Sequence, residues 1–306
     1  MSTFFKIIRW PNILLTILTQ LVIVYGMLIP SGVDPSLSNW QLSLLILATA
    51  LLTASGNVIN DIYDVEIDRI NKPEKLLVTK SISEKNAFYI YMALTVIAVG
   101  AGFILSNSIG KPILSSVFIA VAFILYLYAS SLKAMLLVGN IIISLLVALV
   151  ILITGIFELF PSITPETQTA FKFLLERLLE FALMAFSINL AREWVKDCED
   201  VNGDKAGGRN TIAILLGRSR AAKVISIFIL AIVILLGWYV YEFIYKNEVA
   251  TYFFTFLIIG PLTFVAFKLW TAASPKEYHL LSNILKLVLL FGILSIGIFR
   301  LNYYFN

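Results

Sequence analysis

The chain has 306 residues, of which 59% are hydrophobic and only 14% charged, with a net charge of +4 and a mean hydropathy of +0.91. Soluble domains carry about 25% charged residues, and disordered chains need low hydrophobicity, so both classes are excluded. The single cysteine, Cys198, excludes a disulfide scaffold. What remains is a polytopic membrane protein, and nothing in the modest positive charge calls for a nucleic-acid partner.

Phe4, Phe5, Ile7, Ile8 and Trp10 around Lys6 and Arg9 predict a short interfacial helix in a segment covering residues 1–11. A bilayer core needs about 20 apolar residues per spanning helix. Nine runs qualify, near 13–30, 41–59, 88–106, 112–132, 135–157, 173–191, 223–244, 251–269 and 285–304. None alternates polar and apolar residues as barrel strands do, so the expected fold is an all-α bundle of nine transmembrane helices. The sixth run carries Glu176, Arg177 and Glu180, which must sit near an interface or face the bundle interior. Pro261 after Gly260 is a candidate kink in the eighth.

Most of the 23 Lys and Arg residues fall on one side of this frame, so the positive-inside rule puts the N-terminus in the cytoplasm. The first apolar run is not followed by a small-residue cleavage site and is long enough to stay as an anchor; the start is not an Arg/Ser-rich leader, which favours a prokaryotic cytoplasmic membrane. No linker or low-complexity tract divides the chain, so residues 1–306 read as one integral-membrane domain, with cytoplasmic segments at 60–87 and 192–222.

Eleven of the 19 acidic residues lie in just two of these segments. Asp61, Asp64, Glu66, Asp68, Glu74 and Glu84 follow the second span; Glu193, Asp197, Glu199, Asp200 and Asp204 follow the sixth. Asn57, Asp61, Asp64 and Asp68 are spaced i, i+4, i+7, i+11, as are Glu193, Asp197, Asp200 and Asp204. On a helix that continues out of the membrane, each set stacks on one face. Stacked carboxylates repel unless a cation lies among them, and hard oxygen ligands suit Mg²⁺, which keeps waters and joins carboxylates to substrate phosphates. An acidic stripe is by default a solvated loop face. Two matched stripes at the same membrane end point instead to two Mg²⁺ clamps for a polyphosphate.

Cations accompany both sets: Arg69, Lys72, Lys75 and Lys80 near the first, Arg192, Lys196, Lys205 and Arg209 near the second. The positive-inside bias accounts for some of them; a bound diphosphate gives the rest oxygens to contact. A cation transporter is the competing class, but ion pathways place acids near the membrane midplane, and here the acids gather at one face.

Asn60-Asp61-Ile62-Tyr63-Asp64-Val65-Glu66-Ile67-Asp68 resembles the NDxxDxxxD motif of the UbiA superfamily of intramembrane prenyltransferases, and Lys196-Asp197-Cys198-Glu199-Asp200-Val201-Asn202-Gly203-Asp204 resembles its second motif, KDxxDxxGD in a looser form. The resemblance implies that Asn60, Asp64, Asp68, Asp200 and Asp204 hold Mg²⁺ on a prenyl diphosphate donor, with Asp61 and Asp197 as supporting catalytic carboxylates. It also implies a lipid-accessible cavity among the helices. Arg9-Trp10-Pro11-Asn12 is similar to an N-terminal element of the family that would put Asn12 at the cavity mouth; a helix cap after Pro11 explains Asn12 equally well.

The chain departs from the family pattern in two places. Arg192 stands where many relatives have tyrosine, and Lys75-Leu76 and Thr79-Lys80 replace an Arg-Pro and a Ser-Gly pair. The second motif looks most like the branch that alkylates prenylglyceryl phosphates, the digeranylgeranylglyceryl phosphate synthases. The expected activity is then Mg²⁺-dependent transfer of a polyprenyl (geranylgeranyl) group to a prenylglyceryl phosphate hydroxyl, with Lys75, Lys80, Arg192, Lys196 and Arg209 as phosphate contacts. C-prenylation of an aromatic acid acceptor in quinone biosynthesis is the alternative.

Overall fold

Apolar runs placed in hydrocarbon satisfy their backbone only by closing hydrogen bonds within the run, and the chain does so. The structure, a computed structural model, describes residues 3–74 and 76–298. These residues are helical apart from turns and one isolated bridge between Val78 and Ile82. Eight of the helices are long and apolar enough to cross a membrane. The sixth predicted span lies in a ninth long helix whose charges keep it out of that group.

The chain divides into two compact units, one from the N-terminus to Lys133 together with Leu149–Leu178, the other Ala134–Ala148 together with the chain from Leu179 on. In the first, α1 (Thr3–Ile7) meets α2 (Trp10–Leu21) at Arg9, whose left-handed backbone (φ 52°) turns the chain back on itself. Arg9, and not Asn12, is therefore the N-cap residue of α2. An apolar recess of about 450 Å³ lies against this turn, lined by Phe5, Ile8, Trp10, Ile13 and Leu14. A π-helical stretch, Val22–Leu28, continues α2.

Helix α3 (Asn39–Tyr63) opens with a capping box between Ser38 and Gln41 and packs against α2, α5 (Glu84–Ser108) and α6 (Ser115–Ser130). Small residues permit the closeness: a Cβ at Gly56 would strike Leu125, and one at Gly102 would strike the ring of Phe118. Thr16 and Thr53 hydroxyls meet at 3.3 Å, and Thr49 donates to Gln20 at 2.9 Å, so α2 and α3 are also joined by polar side chains. Residues 149–159 of α7 (Val138–Leu159) complete this unit with the first turns of α8 (Gln168–Ala206). Glu158 is fully buried there and accepts the Leu37 backbone N–H at 3.1 Å.

The second unit holds the start of α7, the rest of α8, and α9 (Ile212–Leu216), α10 (Arg218–Tyr239), α11 (Glu248–Phe253), α12 (Gly260–Leu269) and α13 (Pro275–Ile298). Helix α12 packs on both α10 and α13. Ser226 of α10 donates to the Ala266 carbonyl at 2.7 Å and accepts from Trp270 Nε1 at 2.7 Å. The chain enters α12 through a π-helical stretch, Phe254–Ile259, ahead of Pro261. The expected irregularity is thus a widened turn, which accommodates a proline that lacks an N–H. Glu180, inside the sixth predicted span, accepts a hydrogen bond from the Tyr239 hydroxyl at 3.0 Å. The last span begins ten residues earlier than its apolar run, because Glu277 receives the Ala273 and Ser274 N–H groups and starts α13 at Pro275. Its predicted end, 299–304, lies outside the described residues.

Candidate active site

The first motif sits where α3 ends. The expected unbroken stripe is interrupted: α3 stops at Tyr63, Asp64 leaves helical geometry (φ −94°, ψ 0°), and α4 (Val65–Asn71) resumes. The i to i−4 bonding survives the bend, since Asp64 N donates to Asn60 O and Asp68 N to Asp64 O. Asn57 is drawn out of the stripe, its amide donating to the Ile8 carbonyl at 2.8 Å and fastening α1 to α3.

Arg9 and Lys133 hold the first aspartates of this motif. Arg9 donates to Asp61 at 2.5 Å. Lys133, which follows α6, donates to Asn60 Oδ1 and to Asp64 Oδ1, both at 2.5 Å, with its side chain 9% exposed and over the Tyr128 ring. Sequence reasoning missed Lys133; a lone lysine at the cytoplasmic end of a span is what positive-inside bias gives anyway. Lys80, expected to meet phosphate, donates to the Pro73 carbonyl at 2.6 Å. Lys75 lies outside the described residues. Burial, then the charges of Asp64 and Asp61, push the Asp68 carboxyl up to about 6.

The second motif rides on unbroken helix. Glu193, Asp197, Asp200 and Asp204 all lie within α8, so here the stacked face holds. Arg192 and Lys196 both grip the buried Glu193, at 2.9 and 2.8 Å. Arg209 pairs with the buried Asp204 at 3.0 Å. Asp197 accepts from Asn140 of α7 at 3.1 Å, and Asp200 is half-buried. The only histidine, His279, reaches Glu199 at 3.1 Å. Neither Asn140 nor His279 was singled out from sequence, because each is a lone polar residue far along the chain from the motif. Burial, reinforced by Asp204 and Glu193, holds the Asp197 carboxyl well above the ordinary carboxylate range.

These donor sets fit a hard divalent cation. The nearby oxygens are carboxylate and amide, Cys198 is buried with its thiol pushed up to about 12, and the imidazole is engaged. Among the described residues no three His, Cys, Asp or Glu side chains form a ready metal cage. Mg²⁺ takes one or two carboxylates and completes its shell with water and substrate phosphate. Burial first, and neighbouring carboxylates second, raise the Asp68 and Asp197 carboxyls, and a bound cation would offset the second cause. Arg192 Nε and Arg218 Nη2 are buried without hydrogen-bond partners, which leaves donor capacity in the second unit.

Residues 20–296 match the UbiA prenyltransferase family. The chain is 29% identical over 259 residues to a digeranylgeranylglyceryl phosphate synthase of Methanosphaera stadtmanae, covering 84% of this chain and 87% of that protein. It is 35% identical over 235 residues to a protein of the same name from Thermococcus kodakarensis, covering 76% of each. A UbiA homologue from Archaeoglobus fulgidus, solved bound to DMAPP and Mg²⁺, shares the fold with a TM-score of 0.61 at 19% identity, over 97% of this chain and all of that one. Motif spacing, helical fold and sequence likeness agree: the chain belongs to the UbiA prenyltransferase family.

Proposed function

We propose that this prenyltransferase carries out Mg²⁺-dependent transfer of a geranylgeranyl group from its diphosphate to the free hydroxyl of a prenylglyceryl phosphate, forming an ether lipid. The observation that carries the acceptor is the 35% identity, over 76% of the chain, to a relative named for that synthesis. Asn60, Asp64, Asp68, Asp200 and Asp204 supply hard oxygen ligands, with Asp61 and Asp197 supporting them. Bound Mg²⁺ supplies stabilisation of the charge that develops on the departing diphosphate. Lys75, Lys80, Arg192, Lys196 and Arg209 offer cations to phosphate oxygens, and Asn12 an amide early in α2. The unpartnered N–H groups of Arg192 and Arg218 support an acceptor that brings its own phosphate.

The allylic C–O bond breaks with its electron pair leaving on the diphosphate. The acceptor oxygen bonds to the freed carbon and gives up its proton to the released diphosphate. Apolar helix walls limit competition from water. In the same reading residues 1–306 are one domain, α8 is a ninth span, and the N-terminus and both motifs face the cytoplasm of a prokaryote.

The test is a membrane assay with labelled geranylgeranyl diphosphate and Mg²⁺, offering geranylgeranylglyceryl phosphate and 4-hydroxybenzoate separately. The expected result is a labelled ether lipid with the first alone. Product with the aromatic acid alone overturns the acceptor and places the chain in quinone synthesis.

A further inference from the structure

The aspartate three residues ahead of a proposed metal ligand is fixed differently in the two motifs. Asp61, ahead of Asp64, is held by the Arg9 guanidinium at 2.5 Å, so its charge is matched in place. Asp197, ahead of Asp200, is held by the neutral amide of Asn140, Nδ2 to Oδ2 at 3.1 Å, and makes no ion pair among the described residues. A neutral donor fixes the orientation of a carboxyl group and supplies no counter-charge, which leaves that role to a metal.

Asn140 is itself held with care. It lies in the first turn of α7, entered through Leu137 in a left-handed conformation (φ 62°) that a leucine adopts only under constraint. The segment ahead of it is tied down by the Asn210 N–H, which donates to the Ala134 carbonyl at 3.0 Å. One turn deeper, Ser144 donates to the Asn140 carbonyl at 2.7 Å, and the buried Asn189 donates to Ser144 at 3.2 Å. A polar column thus runs between α7 and α8 and ends on Asp197.

We propose that Asn140 is a positioning residue for the metal site: its amide occupies Oδ2 of Asp197 and leaves Oδ1 to support the metal, directly or through one of its waters. The proposal rests on the Mg²⁺-dependent reading above. Partners that orient ligating groups typically account for about 10–100-fold in metal affinity or activity.

The experiment uses the full chain in detergent, as wild type, Asn140→Ala, Asn140→Leu (near-isosteric, and kept in case the alanine variant does not fold), Asn140→Gln and Ser144→Ala. Three quantities are read: the Mg²⁺ concentration for half-maximal turnover, Mn²⁺ binding by EPR with inorganic diphosphate and no acceptor, and the melting temperature. In Asn140→Ala and Asn140→Leu, half-saturation is expected to rise about 10–100-fold. Mn²⁺ binding should weaken in parallel, turnover should recover at high Mg²⁺, and Asn140→Gln should restore part of the affinity. Ser144→Ala, which loosens the Asn140 carbonyl but keeps the amide that meets Asp197, should lower the melting temperature and raise the Mg²⁺ half-saturation by less than Asn140→Ala does. An unchanged Mn²⁺ affinity and Mg²⁺ half-saturation in both donor-deleted variants, with the wild type still Mg²⁺-dependent, overturns the role of Asn140 alone. A wild type that turns over without divalent metal overturns the functional reading and this proposal with it.

Discussion

Lys133 Nζ lies 2.5 Å from Asp64 Oδ1, with the two side chains only 9% and 12% exposed, and the same ammonium reaches Asn60 Oδ1. A cation already stands between two proposed metal ligands. Replacing Lys133 with Met takes one buried cation away from the Asp64 carboxylate and the Asn60 amide, and breaking a buried pair costs up to about 3–5 kcal/mol. The expected outcome is a lowered melting temperature in EDTA. Mg²⁺ with inorganic diphosphate should raise it more in Lys133→Met than in wild type, because the metal replaces the lost charge. Equal stabilisation of both proteins would show that Lys133 and the metal do not share these oxygens.

Asp64→Ala and Asp200→Ala should each abolish turnover, by at least about 100-fold, while the chain still inserts. Membrane fractionation and the labelled-lipid assay check this together. Full activity in either variant, with metal still required, would remove that residue from the ligand set.

These two aspartates were legible because the information was local. Four carboxylate or amide positions at helical spacing, placed directly after an apolar run, identify a face before any fold is known. The break at Asp64 was not legible, since nothing in Asn60–Asp68 forbids a continuous helix; the bend shows only in backbone angles. Lys133 and Asn140 escaped for another reason. Lys133 is 69 positions from Asp64 and Asn140 is 57 from Asp197, and only folding brings each to its carboxylate. The apolar runs located the spans well, except where capping extended a helix past its hydrophobic stretch, as Glu277 does for α13.

Cys198 offers a test of packing around the second motif. Burial, then the Asp197 charge, pushes its thiol up to about 12 from an ordinary value of 9.0. A raised thiol pKa means less thiolate at any given pH, about a thousandfold less at pH 8 for a shift of this size, and only the thiolate reacts fast. Maleimide at pH 8 should leave the native protein unlabelled and modify one site after denaturation, read by intact mass. Rapid labelling of the native protein would mean that the α8 face carrying Cys198 opens to solvent.

Substitution of Arg192 can tell the two substrates apart. Its Nη1 holds Glu193 at 2.9 Å while its buried Nε has no partner, so the guanidinium can keep Glu193 and still donate to an anion. Lysine preserves the charge but lacks the planar fork that serves two acceptors at once. If the free Nε meets the acceptor phosphate, Arg192→Lys should raise the KM for geranylgeranylglyceryl phosphate about tenfold, the equivalent of one charge-assisted hydrogen bond, and leave the KM for geranylgeranyl diphosphate near its wild-type value. Steady-state kinetics with each substrate varied in turn decides the matter. A rise confined to the donor KM would assign Arg192 to the departing diphosphate, and the acceptor phosphate would then need Arg218 or another cation of the same unit.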